Sequence, residues 1–521
     1  MESLKNYVAR LIYSRAKLHV GISMICLCAS LSLAAQSLSQ QDIESTTNKY
    51  LSKAISELNE FLLLANNSNS PAQIRQNLTW CVEAMKKRGF ETRILYSKDV
   101  PHVYAQRQYN AKLPWVLFYL QIDGQLADSA NWNQKNPYEA TLKRNVNGQW
   151  QSISWTQPNG YDPAWRIFAR SASDSKGPAM ALLSSLDILK ELKVTPAFNI
   201  KIIMDFQEEL GSPLLPQLVT ANKDLLQAKM VLIMDGTRHV SNLPTLNFGA
   251  RGIATIQLKV FGPRNDLHSG QYGNYAPNPV FTLAQLLAGM KDDSGRVLIP
   301  HYYDGVDLSE QELAMINEMP GDDNKLNKKL GIARPDQVGH TYEESLQYPS
   351  LNIRGISAGS VEDEVRTIIP SQAIVELDLR LVPETDGERM VSLIKNYIAD
   401  QGFYFVKDSP TEEERDKFNK LISFEYRIGS KPFRTDLNSW AGVWLGKAMD
   451  RTFGQGQYVK QRTTGGSQPI ESFITTLNIP AVSLRFPNPD NNIHAANENL
   501  AIGSFLEGIQ MCLGVLTQKM N

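Results

Sequence analysis

Short apolar runs alternate with helical periodicity through the first half of the chain, and three of the runs end in acidic or amide side chains. Trp115–Leu120 leads into Gln121-Ile122-Asp123, Phe198–Met204 into Asp205-Phe206-Gln207-Glu208-Glu209, and Met230–Met234 into Asp235. Runs rich in Val, Ile and Leu with helical patterns between them predict buried parallel strands. Helices are predicted over Ser45–Leu64, over Ala72–Gly89 (opened by Ser70-Pro71 and stopped by Gly89), and over Gly177–Leu192, with a further strand near Glu91–Tyr96. The polar stretch Ala127–Gly160 reads as an elaborated loop. In open α/β sheets a ligand binds beyond the carboxyl ends of the strands. Carboxylates collected there repel one another unless a cation sits among them, so a metal site is the first expectation.

After Asn247 the pattern changes. Gly252–Phe261 and Ala373–Leu381 alternate like half-buried strands, a long helix is expected after Pro279, Gly387–Gln401 is helical, and Gly295–Pro349 reads as irregular and charged. The remainder returns to the earlier style, with a helix near Trp440–Phe453, a strand at Ala481–Phe486 and a closing helix at Gly503–Leu516. The expected fold is α/β, a mixed, largely parallel sheet flanked by helices, with an inserted α+β domain. The expected boundaries are segments 40–246 and 429–521 for the α/β body with the insert, a lid in the resemblance given below, at 247–428 between them.

The chain's 521 residues are too many for one ordinary core, which agrees with two domains. A formal net charge of −1 and the lack of a dense Lys/Arg tract argue against a nucleic-acid partner. Lys5, Arg10, Arg15 and Lys17 precede an apolar stretch, Val20–Ala35, and polar residues follow. That order predicts a signal peptide over 1–35, and with it a secreted or periplasmic protein without a membrane anchor after cleavage. An uncleaved anchor helix is the other reading, although the stretch is short for a span of about 20 residues. Cys26 and Cys28 would leave with the signal, and Cys81 and Cys512 are expected as buried thiols.

Several polar segments each have an ordinary explanation alone. Asp174, ahead of the Gly177 helix, could be a cap worth about 1 kcal/mol; Glu208-Glu209 could be a solvated pair, His268 a turn residue and His494 another cap. Together and in this order they resemble the M20 family of co-catalytic metallopeptidases, near its carnosinase-like and carboxypeptidase-like members. The resemblance is carried by Phe118–Asp123, Ser173–Pro178, Gln207–Ser212, Asp266–Gly270 with Gly273 and Asn278-Pro279, Thr367–Pro370, Asp378–Pro383, Gly465–Ser467 and the His494 segment, across the whole mature chain.

The resemblance implies roles. Asp174 would bridge two zinc ions, with Glu209 and His494 completing one and Asp235 the other. Glu208 would be the general base toward a metal-activated water, Asp123 would support the first ligand from behind, and His268, from a lid that often belongs to a partner subunit, would face the developing oxyanion. Arg380, with Ser467 and Asn278, would hold a substrate carboxylate. The lid implies a homodimer. The departure is Gln121, where the family has a metal-binding histidine; an amide oxygen is a poorer zinc ligand than imidazole. It leaves three outcomes: a weakly held second ion through Asp174 and Asp235, a harder ion such as Mn²⁺, or one ion only. The expected function is a secreted exopeptidase or dipeptidase acting on small peptides. The alternatives are an N-acyl amino acid amidohydrolase and a non-catalytic peptide binder.

Overall fold

The computed structural model describes residues 37–520; the signal segment expected over 1–35 lies outside them. The central sheet has eight strands in the order Glu91–Ser97, Val100–Arg107, Asn199–Asp205, Trp115–Gln121, Val231–Ile233, Ala481–Arg485, Thr245–Asn247, Val459–Gln461. Its middle, from Asn199–Asp205 to Ala481–Arg485, is parallel, and the Glu91–Arg107 side is antiparallel. The four central strands are buried throughout except at Trp115, as expected of strands covered on both faces. One face carries the helices Gln40–Leu62, Lys176–Leu192, Trp440–Phe453 and Ile502–Leu516 over the larger apolar core. The other carries Leu215–Ala221 and Glu471–Leu477 over a core that includes Tyr119, Ile233 and Ala481.

Helix Gln40–Leu62 opens with a capping box, Ser39 and Asp42 satisfying each other's backbone N–H. Cys81 and Cys512 are buried free thiols, both pushed up to about 12 by burial. No helix among the described residues is long and apolar enough to cross a membrane.

The inserted unit is a five-stranded sheet, Ser350–Ser357, Gln372–Leu381, Gly252–Phe261, Leu421–Ile428 and Tyr404–Val406 in spatial order, with helices Pro279–Ala288 and Gly387–Asp400 on one face. The helix after Pro279 is shorter than expected, ending at Ala288 before Gly289. Two further expectations are corrected. The 127–160 stretch is not all loop: Thr141–Val146 and Gln149–Ser152 form a hairpin in a separate four-stranded sheet. Its turn is Asn147-Gly148, both at positive φ (51° and 84°), the conformation that suits a two-residue hairpin. The 295–349 stretch also folds, into short helices Glu310–Asn317, Asp323–Leu330 and Tyr342–Ser345, each started by a side-chain cap from Ser309, Asp322 or Thr341.

Candidate metal centre and catalytic cleft

Three side chains far apart in sequence meet beyond the carboxyl ends of the central strands. Asp174, Glu209 and His494 each offer a ligand atom, and these atoms lie within 4.8 Å of one another. His494 Nε2 is 3.0 Å from Asp174 Oδ2 and 3.3 Å from Glu209 Oε2. Buried Glu498, four residues beyond His494, holds the Asp174 loop in place. Its carboxylate accepts the backbone N–H groups of Ser171, Ser173 and Asp174 and the Ser173 hydroxyl, and it pairs with Arg170 at 2.8 Å. One carboxylate thereby ties the histidine segment to the aspartate segment.

The Glu208–Leu210 turn is held in a similar way. Asp123 Oδ1 accepts from Glu208 N–H and Asp123 Oδ2 from Glu209 N–H, each at 3.0 Å. The sequence reading put Asp123 behind the first ligand; in the structure its carboxylate grips the backbone of the Glu-Glu pair. Gln125 Nε2 donates to Glu209 Oε2 at 2.8 Å. Beneath the turn, Asp205 accepts from Tyr119 and Ser212 hydroxyls and lies 3.3 Å from His102 Nε2.

The electrostatics describe a centre with too much negative charge. Burial lifts Asp174 to about 6, with Asp235 and Glu498 adding to the rise and His494 opposing it. Burial and then Asp174 lift Glu209 to about 8. Half-buried Glu208 is raised well above the carboxylate range by loss of solvent and by Asp235, Asp174, Glu209 and Asp123. His494 is raised to about 9, chiefly by its hydrogen bond to Asp174. One imidazole nitrogen among carboxylate oxygens fits a borderline divalent cation, and its charge would stabilise the ionised carboxylates.

Asp235 stands apart from that trio. Its Oδ1 accepts from Ser175 Oγ at 2.8 Å and its Oδ2 from Gln468 Nε2 at 2.8 Å. Gln121 is 1 % exposed, and neither amide atom has a hydrogen-bond partner among the described residues.

On the lid side, Arg380 Nη1 donates to Ser467 Oγ at 3.1 Å, bringing together two of the expected substrate-binding residues at the seam between lid and body. Arg251 braces the same seam, its backbone N–H shared between the Thr464 and Gly466 carbonyls. Asn278 is committed elsewhere: its side-chain oxygen caps helix Pro279–Ala288 through Val280 N–H. His268 is exposed on the lid, its Nδ1 accepting from Gly270 N–H, and it makes no hydrogen bond to the carboxylate cluster of its own chain.

Residues 248–403 match the family model described as a peptidase dimerisation domain. The chain is 26% identical over 437 residues to a Cys-Gly metallodipeptidase of Schizosaccharomyces pombe, covering 82% of this chain and 85% of that one. It is 24% identical to the beta-Ala-His dipeptidase of Rattus norvegicus, over 88% and 91% of the two chains. An M20 family metallo-carboxypeptidase from Sulfolobus solfataricus superposes with a TM-score of 0.72 at 26% identity, over 89% of this chain and 99% of that one. Residues 248–403 thus carry the M20 dimerisation domain, and the chain is similar along most of its length to M20 metallopeptidases. Human carnosine dipeptidase 1 shares the fold, with a TM-score of 0.72 at 21% identity over 92% and 98% of the two chains. Glu498, Ser175, Gln125 and Gln468 carry contacts to the centre that sequence reasoning did not assign. Glu498 and Ser175 lie inside the quoted motifs, where their residue types alone could have raised them as candidates.

Proposed function

We propose that the protein is an exported, zinc-dependent dipeptidase that works as a homodimer through residues 248–403 and hydrolyses small peptides with a free carboxylate. The observation that carries this reading is the convergence of Asp174, Glu209 and His494 beside the Asp123-held Glu208. Relatives along most of the chain are named dipeptidases, which favours a peptide over an N-acyl amino acid. Export is supported by the basic flank and apolar stretch at the amino terminus, and the dimer by the matched dimerisation domain.

A divalent cation held by Asp174, Glu209 and His494 would polarise the scissile carbonyl and acidify a water. Glu208 does the proton work: a carboxylate with raised basicity takes a proton from the attacking water and passes it to the departing amine. Asp123 fixes where Glu208 points by gripping the backbone of its turn. Arg380, already aligned by Ser467, presents its guanidinium to the substrate carboxylate, and this selects short peptides with a free C-terminus. His268 completes the site from the partner's lid by donating toward the oxygen on which charge develops.

The test is turnover of Cys-Gly, β-Ala-His and N-acetyl amino acids by wild type and Glu208→Gln. Dipeptides are expected to be cleaved, with kcat of the variant down about 10²–10⁴-fold. Equal rates in the two proteins would remove Glu208 from the chemistry, and cleavage of N-acetyl amino acids alone would replace the dipeptidase reading.

A further inference from the structure

Asp235 and its neighbours carry a second message about the metal centre. The parallel register pairs Tyr119 with Ile233 and Ser483 with Ile233. Extended two residues past the end of Val231–Ile233, that register would set Asp235 between Gln121 and Arg485, the last residues of the two neighbouring strands. Residues two apart share a face of a sheet, so all three belong to the face of Tyr119 and Ile233. Arg485 is 5% exposed, its Nε has no hydrogen-bond partner, and no carboxylate lies within ion-pair distance of it among the described residues. Its guanidinium packs so closely on Gly236 that a Cβ there would stand 2.8 Å from Arg485 Cζ and Nε. Asp235 is the carboxylate whose charge acts on it.

A buried guanidinium is costly without a countercharge, and Asp235, beyond ion-pair distance, is the carboxylate whose charge favours it. The side chains that hydrogen-bond to Asp235 are neutral donors. Ser175 Oγ lies 2.8 Å from Asp235 Oδ1 and 3.0 Å from Asp174 Oδ1, so a hydroxyl links the two carboxylates that would have to share a second ion. Gln468, steadied by Ser483, donates to the remaining oxygen of Asp235. Gln121 brings an uncharged amide in place of an imidazole. A dication on Asp235 would share a poorly screened environment with the fixed positive charge of Arg485, where like charges repel strongly.

We propose that this chain holds one catalytic cation, at Asp174, Glu209 and His494, and that Arg485, with Ser175, Gln468 and Gln121, replaces a second. The proposal rests on the metallopeptidase reading above and narrows it. The protein's own guanidinium compensates Asp235, and the metal site becomes mononuclear by construction.

The test counts metal. The full protein is stripped with a chelator, reloaded separately with Zn²⁺ and with Mn²⁺, and its ions per chain are measured by plasma mass spectrometry and intact native mass spectrometry. One ion per chain is expected with either metal. Two tightly held ions with either one would overturn the proposal, and two with Mn²⁺ alone would mark an all-oxygen site at Gln121, Asp174 and Asp235. The Gln121→His/Arg485→Leu double variant is expected to take up a second ion; if it stays at one, Arg485 is not what excludes the second ion. Arg485→Leu alone, checked by circular dichroism and melting, separates loss of fold from change of stoichiometry. Metal count and turnover fail independently. One ion with no dipeptide cleavage would sink the proposed function and spare this inference, while two ions with full cleavage would do the reverse.

Discussion

At the scale of single residues, the centre depends on carboxylates that never touch substrate. Glu498 satisfies three backbone N–H groups, a hydroxyl and a guanidinium in a fully buried position. Its replacement by Gln puts an amide NH₂ among donors that need acceptors. The expected outcome is a fall in cation affinity and in kcat of about 10–100-fold, the range for residues that orient metal ligands, read by metal titration and initial rates. Asp205 gives a pH prediction. Burial pushes its pKa up, but His102, Ser212 and the Gln207 N–H outweigh burial and hold it at about 2, below an ordinary value of 3.8. A depressed carboxylate contributes stability that is present above pH 3.8 and is lost as pH falls toward 2. Asp205→Asn should therefore lose about 2 kcal/mol near pH 6 relative to wild type and close that gap by pH 2. Urea unfolding of both proteins across the range measures it; a gap independent of pH would contradict the assignment. Asp174, Glu209 and His494 were legible in the sequence because each sits in a short motif at a strand or helix end. Arg485 was not, because it closes an apolar run and its meaning comes only from strand register.

At the scale of elements, the parts hardest to read were those with the least apolar periodicity. The 141–152 hairpin is built from Lys, Arg, Asn and Gln as well as Leu and Trp, and Lys143 and Arg166 lie over the Phe168 and Trp150 rings. The helices of 310–345 are only four to eight residues long, too short to show a stripe. They nonetheless connect the two sheets. Glu343 reaches His239 at 3.0 Å and Gln461 on the central body, and Arg462 bonds Gln347 at 2.5 Å and Glu312 at 2.6 Å. This insert straps lid to body around a mostly buried arginine. Arg462→Ala removes two bonds to that strap, one of them charged on both sides. It is expected to cost about 2–3 kcal/mol and to speed proteolysis within 309–349, as judged by melting and limited digestion with mass mapping. Unchanged cleavage there would show that the strap does not restrain the lid.

At the scale of the whole molecule, one chain leaves His268 unconnected to the carboxylate cluster by any hydrogen bond. His268 is exposed and its side chain is held through Nδ1 by Gly270 N–H, whereas Arg380 and Ser467 already meet across the seam. If the dimer proposed from residues 248–403 supplies His268 in trans, the defects in Glu208→Gln and His268→Ala lie on different chains of the same active site. Each variant alone should be nearly inactive. When the two are mixed in equal amounts and allowed to exchange subunits, half the dimers are mixed. One of the two sites in such a dimer draws an intact Glu208 from one chain and an intact His268 from the other, so activity should recover to about a quarter of wild type. Recovery that depends on exchange, absent when the proteins are crosslinked as homodimers before mixing, identifies the shared site. No recovery under conditions where exchange is verified by mass spectrometry would place His268 in its own chain's cleft, reached by lid movement, or outside catalysis; His268→Ala kinetics distinguish these, since a residue outside catalysis leaves kcat unchanged.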